Sequence, residues 1–340
     1  MRTRAIAILL VVTALAGPGV PAARAQSKTG TTFGQFLLIE PSARIAGVGN
    51  AGVAIGDGIE SVYYNPAAIG RLDKFQAQFS HAEWFAGITY DYIATAVPAG
   101  RWGNLFASVT ALNSGDIDVR TVSQPLGTGD KYSVTDLAIS LGYGHEFSGR
   151  FSAGGQITWL QETIWHSSAD AGVFNVGMLY RTSVHGLYIG GSVNNFGTNA
   201  RFDGTDLRVT FDADPTRNGD NGTLPAVQFT DAFALPVIFR VGVGCPWKIA
   251  DDQVLRLEAD AFHPSDNDES VSLGAEWAYR DVFALRGGWQ NLFLTDTEVG
   301  LTLGAGFGTR IQGTRVRFDY AWADQGRLGS SQRFSLGAAF

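Results

Sequence analysis

The sequence predicts an all-β protein, a transmembrane antiparallel up-and-down β-barrel of about 14 strands with an amino-terminal hatch or plug segment. Three observations carry that prediction. An export signal opens the chain, and no apolar run long enough for a membrane helix follows it. From Lys74 onward the apolar residues recur with a period of two. The connections between these alternating runs are short and long in turn.

The export signal comes first. Arg2 and Arg4 precede the apolar core AIAILLVVTAL, and Ala23-Arg24-Ala25 forms a cleavage site of the A-x-A type. The expected mature chain starts at Gln26, and no cysteine follows the core to take a lipid anchor. Export without a helical anchor leaves a soluble exported protein or an outer-membrane barrel. The single cysteine, Cys245, excludes an intramolecular disulfide framework. A net charge of -7, with no basic run, argues against a nucleic-acid partner.

Alternation is clear along the mature chain. Leu137, Ile139, Leu141 and Tyr143 alternate with Ala138, Ser140 and Gly142, and Phe318, Tyr320 and Trp322 alternate with Asp319 and Ala321. Each such run has one apolar face and one small or polar face. Strands are expected near residues 74–83, 89–97, 102–112, 132–146, 150–161, 171–181, 187–195, 236–247, 253–262, 270–279, 282–290, 298–308, 315–323 and 332–340. Short turns then alternate with longer loops such as 113–131 and 196–235, which is how a bacterial barrel distinguishes its periplasmic end from its outer end. Aromatics fall near both ends of the strands. Trp102, Tyr143, Tyr180, Trp247 and Tyr279 belong to the periplasmic belt, and Trp84, Tyr90, Trp159, Trp289 and Trp322 to the outer one. The last run carries Phe334, Leu336 and a terminal Phe340, similar to the signal that outer-membrane barrels present to their assembly machinery.

Charges of both signs share the non-lipid face of the later strands: Arg240, Arg256, Glu258, Asp260, Glu276, Arg286, Arg315, Arg317, Asp319 and Arg333. Facing lipid, each would be unfavourable by a few kcal/mol, so they are expected in the lumen as a paired network.

Residues 42–70 belong to neither signal nor strands. Gly47, Gly49 and Gly52 spell GxGxxG, yet no strand leads in and no βαβ unit follows, so a nucleotide cradle is not expected. Ser42-Ala43-Arg44, the Gly/Ala run 47–54, Asp57 and Tyr64-Asn65-Pro66-Ala67 resemble the amino-terminal signature of the PorV/PorQ outer-membrane proteins. These are related to the FadL family of long-chain fatty-acid transporters. The resemblance implies a 14-stranded barrel with residues 26–73 folded into the lumen of a barrel formed by 74–340, after removal of 1–25. Arg44, Gly47, Gly49, Gly52, Asp57, Asn65 and Pro66 are the hatch residues it singles out. Asn65 is placed to cap a helical turn opened by Pro66.

Likeness to PorV/PorQ implies an accessory or shuttle of type IX protein secretion, with exported proteins or secretion components as partners at the outer loops. Likeness to FadL implies a gated channel for hydrophobic small molecules, and a structural barrel without transport is a third class. An uptake channel needs an apolar pocket beneath the outer loops, whereas a shuttle needs a partner-binding outer rim. No enzyme is expected, because the five histidines lie apart without a catalytic motif. No cofactor or metal is expected either, since the acidic loop 212–220 lacks the terminal ligand of a calcium loop.

Overall fold

The computed structural model describes residues 29–214, 216 and 223–340. The export signal, its cleavage site and part of the acidic loop 212–220 fall outside them. Among the described residues fourteen strands form the barrel wall: β1 (Gln76–Glu83), β2 (Thr89–Pro98), β3 (Asn104–Asn113), β4 (Val134–Ser148), β5 (Phe151–Ile164), β6 (Ser167–Arg181), β7 (Tyr188–Gly197), β8 (Ile238–Ala250), β9 (Gln253–Pro264), β10 (Ser270–Tyr279), β11 (Phe283–Leu292), β12 (Leu301–Ile311), β13 (Thr314–Asp324) and β14 (Ser330–Ala339). Each is antiparallel to its sequence neighbour, and β1 closes on β14 from Gln76↔Ala339 to Glu83↔Gln332. Closure leaves no strand edge unpaired, the condition for a sheet to cross a bilayer. No helix among the described residues is long and apolar enough to cross one.

Side-chain parity sets what each face meets. Phe79, Ile93, Leu105, Leu141, Ile157, Phe174, Phe239, Leu285, Leu303, Phe318 and Leu336 all point outward and are exposed. A continuous apolar exterior is the lipid-facing wall of a membrane barrel. The inward parity carries small, polar and charged residues. Short turns gather at one end and long connections at the other, as the sequence predicts. The long connections hold small hairpins of their own, such as Arg208–Phe211 with Leu224–Val227.

Three expectations need correction. Tyr90 is not part of an aromatic belt: β2 turns Tyr90 and Tyr92 inward and Asp91 and Ile93 outward, so Tyr90 is buried and donates its hydroxyl to Ile39 O. Trp84 likewise lies at the inner rim, under the Arg333 guanidinium at 5.4 Å. Strand β6 starts at Ser167 and not near 171, because Ser167–Asp170 pair with β5 across a tight turn whose Trp165 has a φ of 54°.

Candidate functional site

Residues 29–75 run through the lumen from the long-loop end to the short-turn end, where β1 begins. Near the long loops, Phe33 N–H donates to Ala234 O at 2.8 Å, and Thr32 Oγ1 and Gln35 Nε2 each donate to Asp266 Oδ2 at 2.7 Å. Ser42 then caps the single turn α1 (Ala43–Ala46). From there the backbone is held by wall side chains around the circumference. Ala43 N–H donates to Ser335 Oγ on β14 at 2.9 Å, Gly49 N–H to Thr302 Oγ1 on β12 at 2.9 Å, and Val53 N–H to Asp260 Oδ2 on β9 at 2.8 Å. On the opposite wall, Asn104 of β3 donates to both Ile69 O and Leu72 O at 2.7 Å.

Glycine is required where backbone meets wall. Gly49 has a φ of 70°, and a Cβ there would lie 2.6 Å from Leu273 O. On the wall side, a Cβ on Gly154 of β5 would lie 2.2 Å from Pro66 O. These glycines serve close approach of two backbones, not a phosphate. Asn65 accepts from Ala67 N–H to cap the 3-10 turn Pro66–Arg71, while its Nδ2 donates at 2.9 Å to Val53 O and to Met178 O of β6.

The lumen has two unlike sides. On the β9–β14 side the charges form a network around Glu276, which is 3% exposed. Its carboxylate accepts from Arg44 at 3.1 Å, Arg256 at 2.8 Å, Arg286 at 2.6 Å and Arg317 at 3.3 Å. Asp57 bridges Arg44 and Arg256 at 3.2 and 3.3 Å, and Asp319 pairs with Arg286 at 2.8 Å and Arg317 at 3.0 Å. Arg44 and Asp57 come from the lumen segment, so the network ties it to four strands. A cavity of about 390 Å³ opens beside it toward the short-turn end, lined by Asp57, Glu60, Arg256, Glu276 and Arg317.

The remaining charges predicted for the lumen stand apart from this network. Arg333 pairs with Glu40 at 3.2 Å, and the half-exposed Arg315 with Asp281 at 3.5 Å. Arg240 lies over the Tyr63 and Tyr64 rings at 5.4 and 5.7 Å. Glu258 and Asp260 are buried on β9. Of the residues expected in a hatch, Arg44 and Asp57 meet in the network, Gly47 and Gly49 contact the β10–β12 wall, Gly52 packs on Ile45 and Tyr64, and Asn65 and Pro66 face β5 and β6.

The β2–β6 side carries apolar clusters toward both ends of the lumen, with uncharged polar side chains between them: Ser108, Thr110, Ser140, Gln156, Thr158 and Asn175. Phe33 and Phe36 of the segment, with Leu235 of the longest loop, pack on Tyr90, Leu112, Leu160 and Val173. Ile69 and Leu72 continue the cluster past Phe106 to the short-turn end. Phe202 closes it from above, with its ring edge-on to Phe33 at 6.0 Å. At the rim, the His166 backbone N–H and ring Nδ1 each lie 3.0 Å from the Asp206 carboxylate. Desolvation works against them, yet these hydrogen bonds hold Asp206 below the usual carboxylate range.

Sequence reasoning missed Glu40, Asp266, Asn104, Ser335 and Thr302 as partners of the segment. It also passed over Asp136 and Glu162, whose parity with the inward Ala138 and Leu160 was available to be read. Phe334 and Leu336 face outward on β14, and the Phe340 ring rests on Phe75 at 5.4 Å.

No family model matches the sequence, and no curated protein matches it. Solved structures do resemble it in fold. A FadL homologue from Pseudomonas aeruginosa aligns over 88% of this chain and 98% of its own at 12% identity, with a TM-score of 0.54. The Ralstonia pickettii toluene transporter TbuX aligns over 88% and 97% at 12% identity and TM-score 0.54. For the Pseudomonas putida toluene transporter TodX the values are 88%, 98%, 11% and 0.54. At such identities the likeness establishes the fold, a FadL-like 14-stranded barrel.

Proposed function

We propose that the chain is an outer-membrane channel of FadL type that admits hydrophobic small molecules, with residues 26–73 as its hatch and 74–340 as its barrel. The observation that carries the reading is the apolar cluster under the long loops, where Phe33, Phe36 and Leu235 pack with Tyr90, Leu112, Leu160 and Val173. A hydrophobic solute leaving water gains there roughly 25 cal/mol per Å² of apolar area that it buries. The charged side offers no such gain and serves to hold the segment. Resemblance in fold to toluene transporters supports the same reading.

Uptake of a labelled monoaromatic hydrocarbon tests it, in cells whose own channels of this fold are deleted. Expression of the full chain should speed hydrocarbon uptake and leave that of a hydrophilic solute of equal size unchanged. Rates equal to those of cells without the protein overturn the reading. One observation favours the secretion-accessory reading: Val209, Phe211, Leu224 and Val227 of the long-loop hairpin are exposed. Capture of exported proteins that is lost on deleting residues 205–230 would move that reading ahead. Removal of Phe340 checks the assembly signal, with unassembled chain as the expected outcome.

A further inference from the structure

Two carboxylates lie outside the arginine network. Asp136 on β4 and Glu162 on β5 are direct cross-strand partners, and residues so placed hold their Cβ atoms about 4.5–5.5 Å apart on one face of a sheet. Both are at the long-loop end of the apolar side. Asp136 is 8% exposed, and its Oδ1 is buried with no hydrogen-bond partner. Glu162 Oε1 accepts the Gly34 N–H at 2.8 Å, at the entry to the 3-10 turn Gln35–Leu38.

The surroundings hold nothing to offset two negative charges. Leu112 of β3 flanks Asp136, and Ala169 of β6 flanks Glu162. Leu160, Leu37 and Leu235 pack around Gly34 between them. Among the described residues no arginine, lysine or histidine forms an ion pair with Asp136 or Glu162. At the rim, His166 is bound to Asp206, which also accepts from Ser167. Like charges this close are not held together in an apolar site without a compensating charge. Two carboxylates alone make a poor cation site, since hard cations take six or more oxygens.

We propose that Asp136 and Glu162 share one proton, and that the pair is a latch holding residues 33–38 across the apolar side of the lumen. The proton bridges the facing carboxyl oxygens and leaves Glu162 Oε1 free to accept from Gly34. Loss of the proton to water leaves two anions, and the more exposed Glu162 turns away from Asp136 toward the rim. That movement breaks the one hydrogen bond between β5 and the Gly34 backbone. The latch therefore holds at lower pH and releases as pH rises. Its meaning as a gate rests on the uptake reading, but the latch is tested without transport.

Hydrogen–deuterium exchange of the full chain in detergent reads it, with intrinsic exchange rates corrected for pH from 5 to 9. The wild type should lose protection at Gly34–Leu38 in a single step as pH rises, by tenfold or more. Asp136→Asn and Glu162→Gln should each abolish the step, and Asp136→Asn should keep the segment protected at high pH. Thermal melting of both variants confirms that the barrel folds. A flat wild-type profile, or a step that persists in both variants, overturns the latch. A step that moves when calcium is exchanged for a chelator at fixed pH also overturns it, since a cation then fills the place of the proton.

Discussion

The two sides of the lumen hold the same segment by opposite physics. On the β9–β14 side, four arginines converge on Glu276, and Arg44 and Asp57 enter that network from the segment. On the β2–β6 side, apolar packing and uncharged polar side chains hold the segment almost without ion pairs. A directional network fixes depth and register, because each guanidinium has one geometry that satisfies it. An apolar surface fixes neither, and accepts any side chain or solute of suitable volume. The charged side therefore fixes the position of the segment, and the apolar side leaves its fit open.

Breaking the charged side should have the largest effect. Glu276→Ala leaves Arg44, Arg286 and Arg317 facing one another, and removing one partner of a buried ion pair costs about 3–5 kcal/mol. Chemical unfolding of the purified barrel should show that loss, and exchange at residues 43–60 should rise with it. A change below 1 kcal/mol would show that water, and not Glu276, compensates the arginines. Asn65→Ala should come next. It leaves Val53 O and Met178 O without their donor and removes the cap on Pro66–Arg71, for about 1–3 kcal/mol. The same unfolding measurement applies, and an unchanged midpoint would place the anchoring elsewhere in the segment.

How much of this was readable in the sequence follows from the range of each interaction. Strand parity is local, so alternation places the ten predicted lumen charges on the inner face, and the loop lengths give the order of the strands. The Asn65 cap is also local, since Asn-Pro writes it within three residues. What Glu276 meets is not local. Its partners lie on β9, β11, β13 and the lumen segment, at depths that only the closed barrel defines. Tyr90 was misread for a related reason: an aromatic near a strand end suits a belt, but parity with Tyr92 and Ala94 turns it inward. The start of β6 was hidden because Ser-Ser-Ala-Asp reads as a turn until β5 supplies its ladder partners.

The apolar side should respond in function before it responds in stability. Phe36→Leu keeps an apolar side chain of lower volume, so the cost should stay well below the roughly 3–5 kcal/mol of a Phe→Ala truncation, while hydrocarbon uptake rises severalfold. Unchanged uptake would mean that solute does not pass Phe36. The rim clasp should respond to acid. Asp206 is held below the usual carboxylate range, so its contribution is present at neutral pH and fades as pH falls through that lowered value. Exchange at Asp203–Gly204, which pair with Ser167–Ser168 of β6, should rise on acidification and be insensitive to pH in Asp206→Asn. An identical acid response in that variant would remove Asp206 from the account.

The smallest effect separates charge from burial. Arg280 and Asp252 meet at 3.3 Å at the short-turn end, with the Arg280 side chain 64% exposed. The distance matches that between Arg317 and Glu276, yet both partners of the rim pair keep much of their hydration. Ordering a long side chain in water offsets most of the Coulomb gain, and exposed pairs contribute under about 1 kcal/mol. Arg280→Gln should therefore shift the unfolding midpoint slightly or not at all, and less at high salt, while Glu276→Ala stays destabilising at every salt concentration. If the two substitutions proved equally harmful, charge itself would hold the barrel together, and the unlike character of the two lumen sides would lose its explanation in burial.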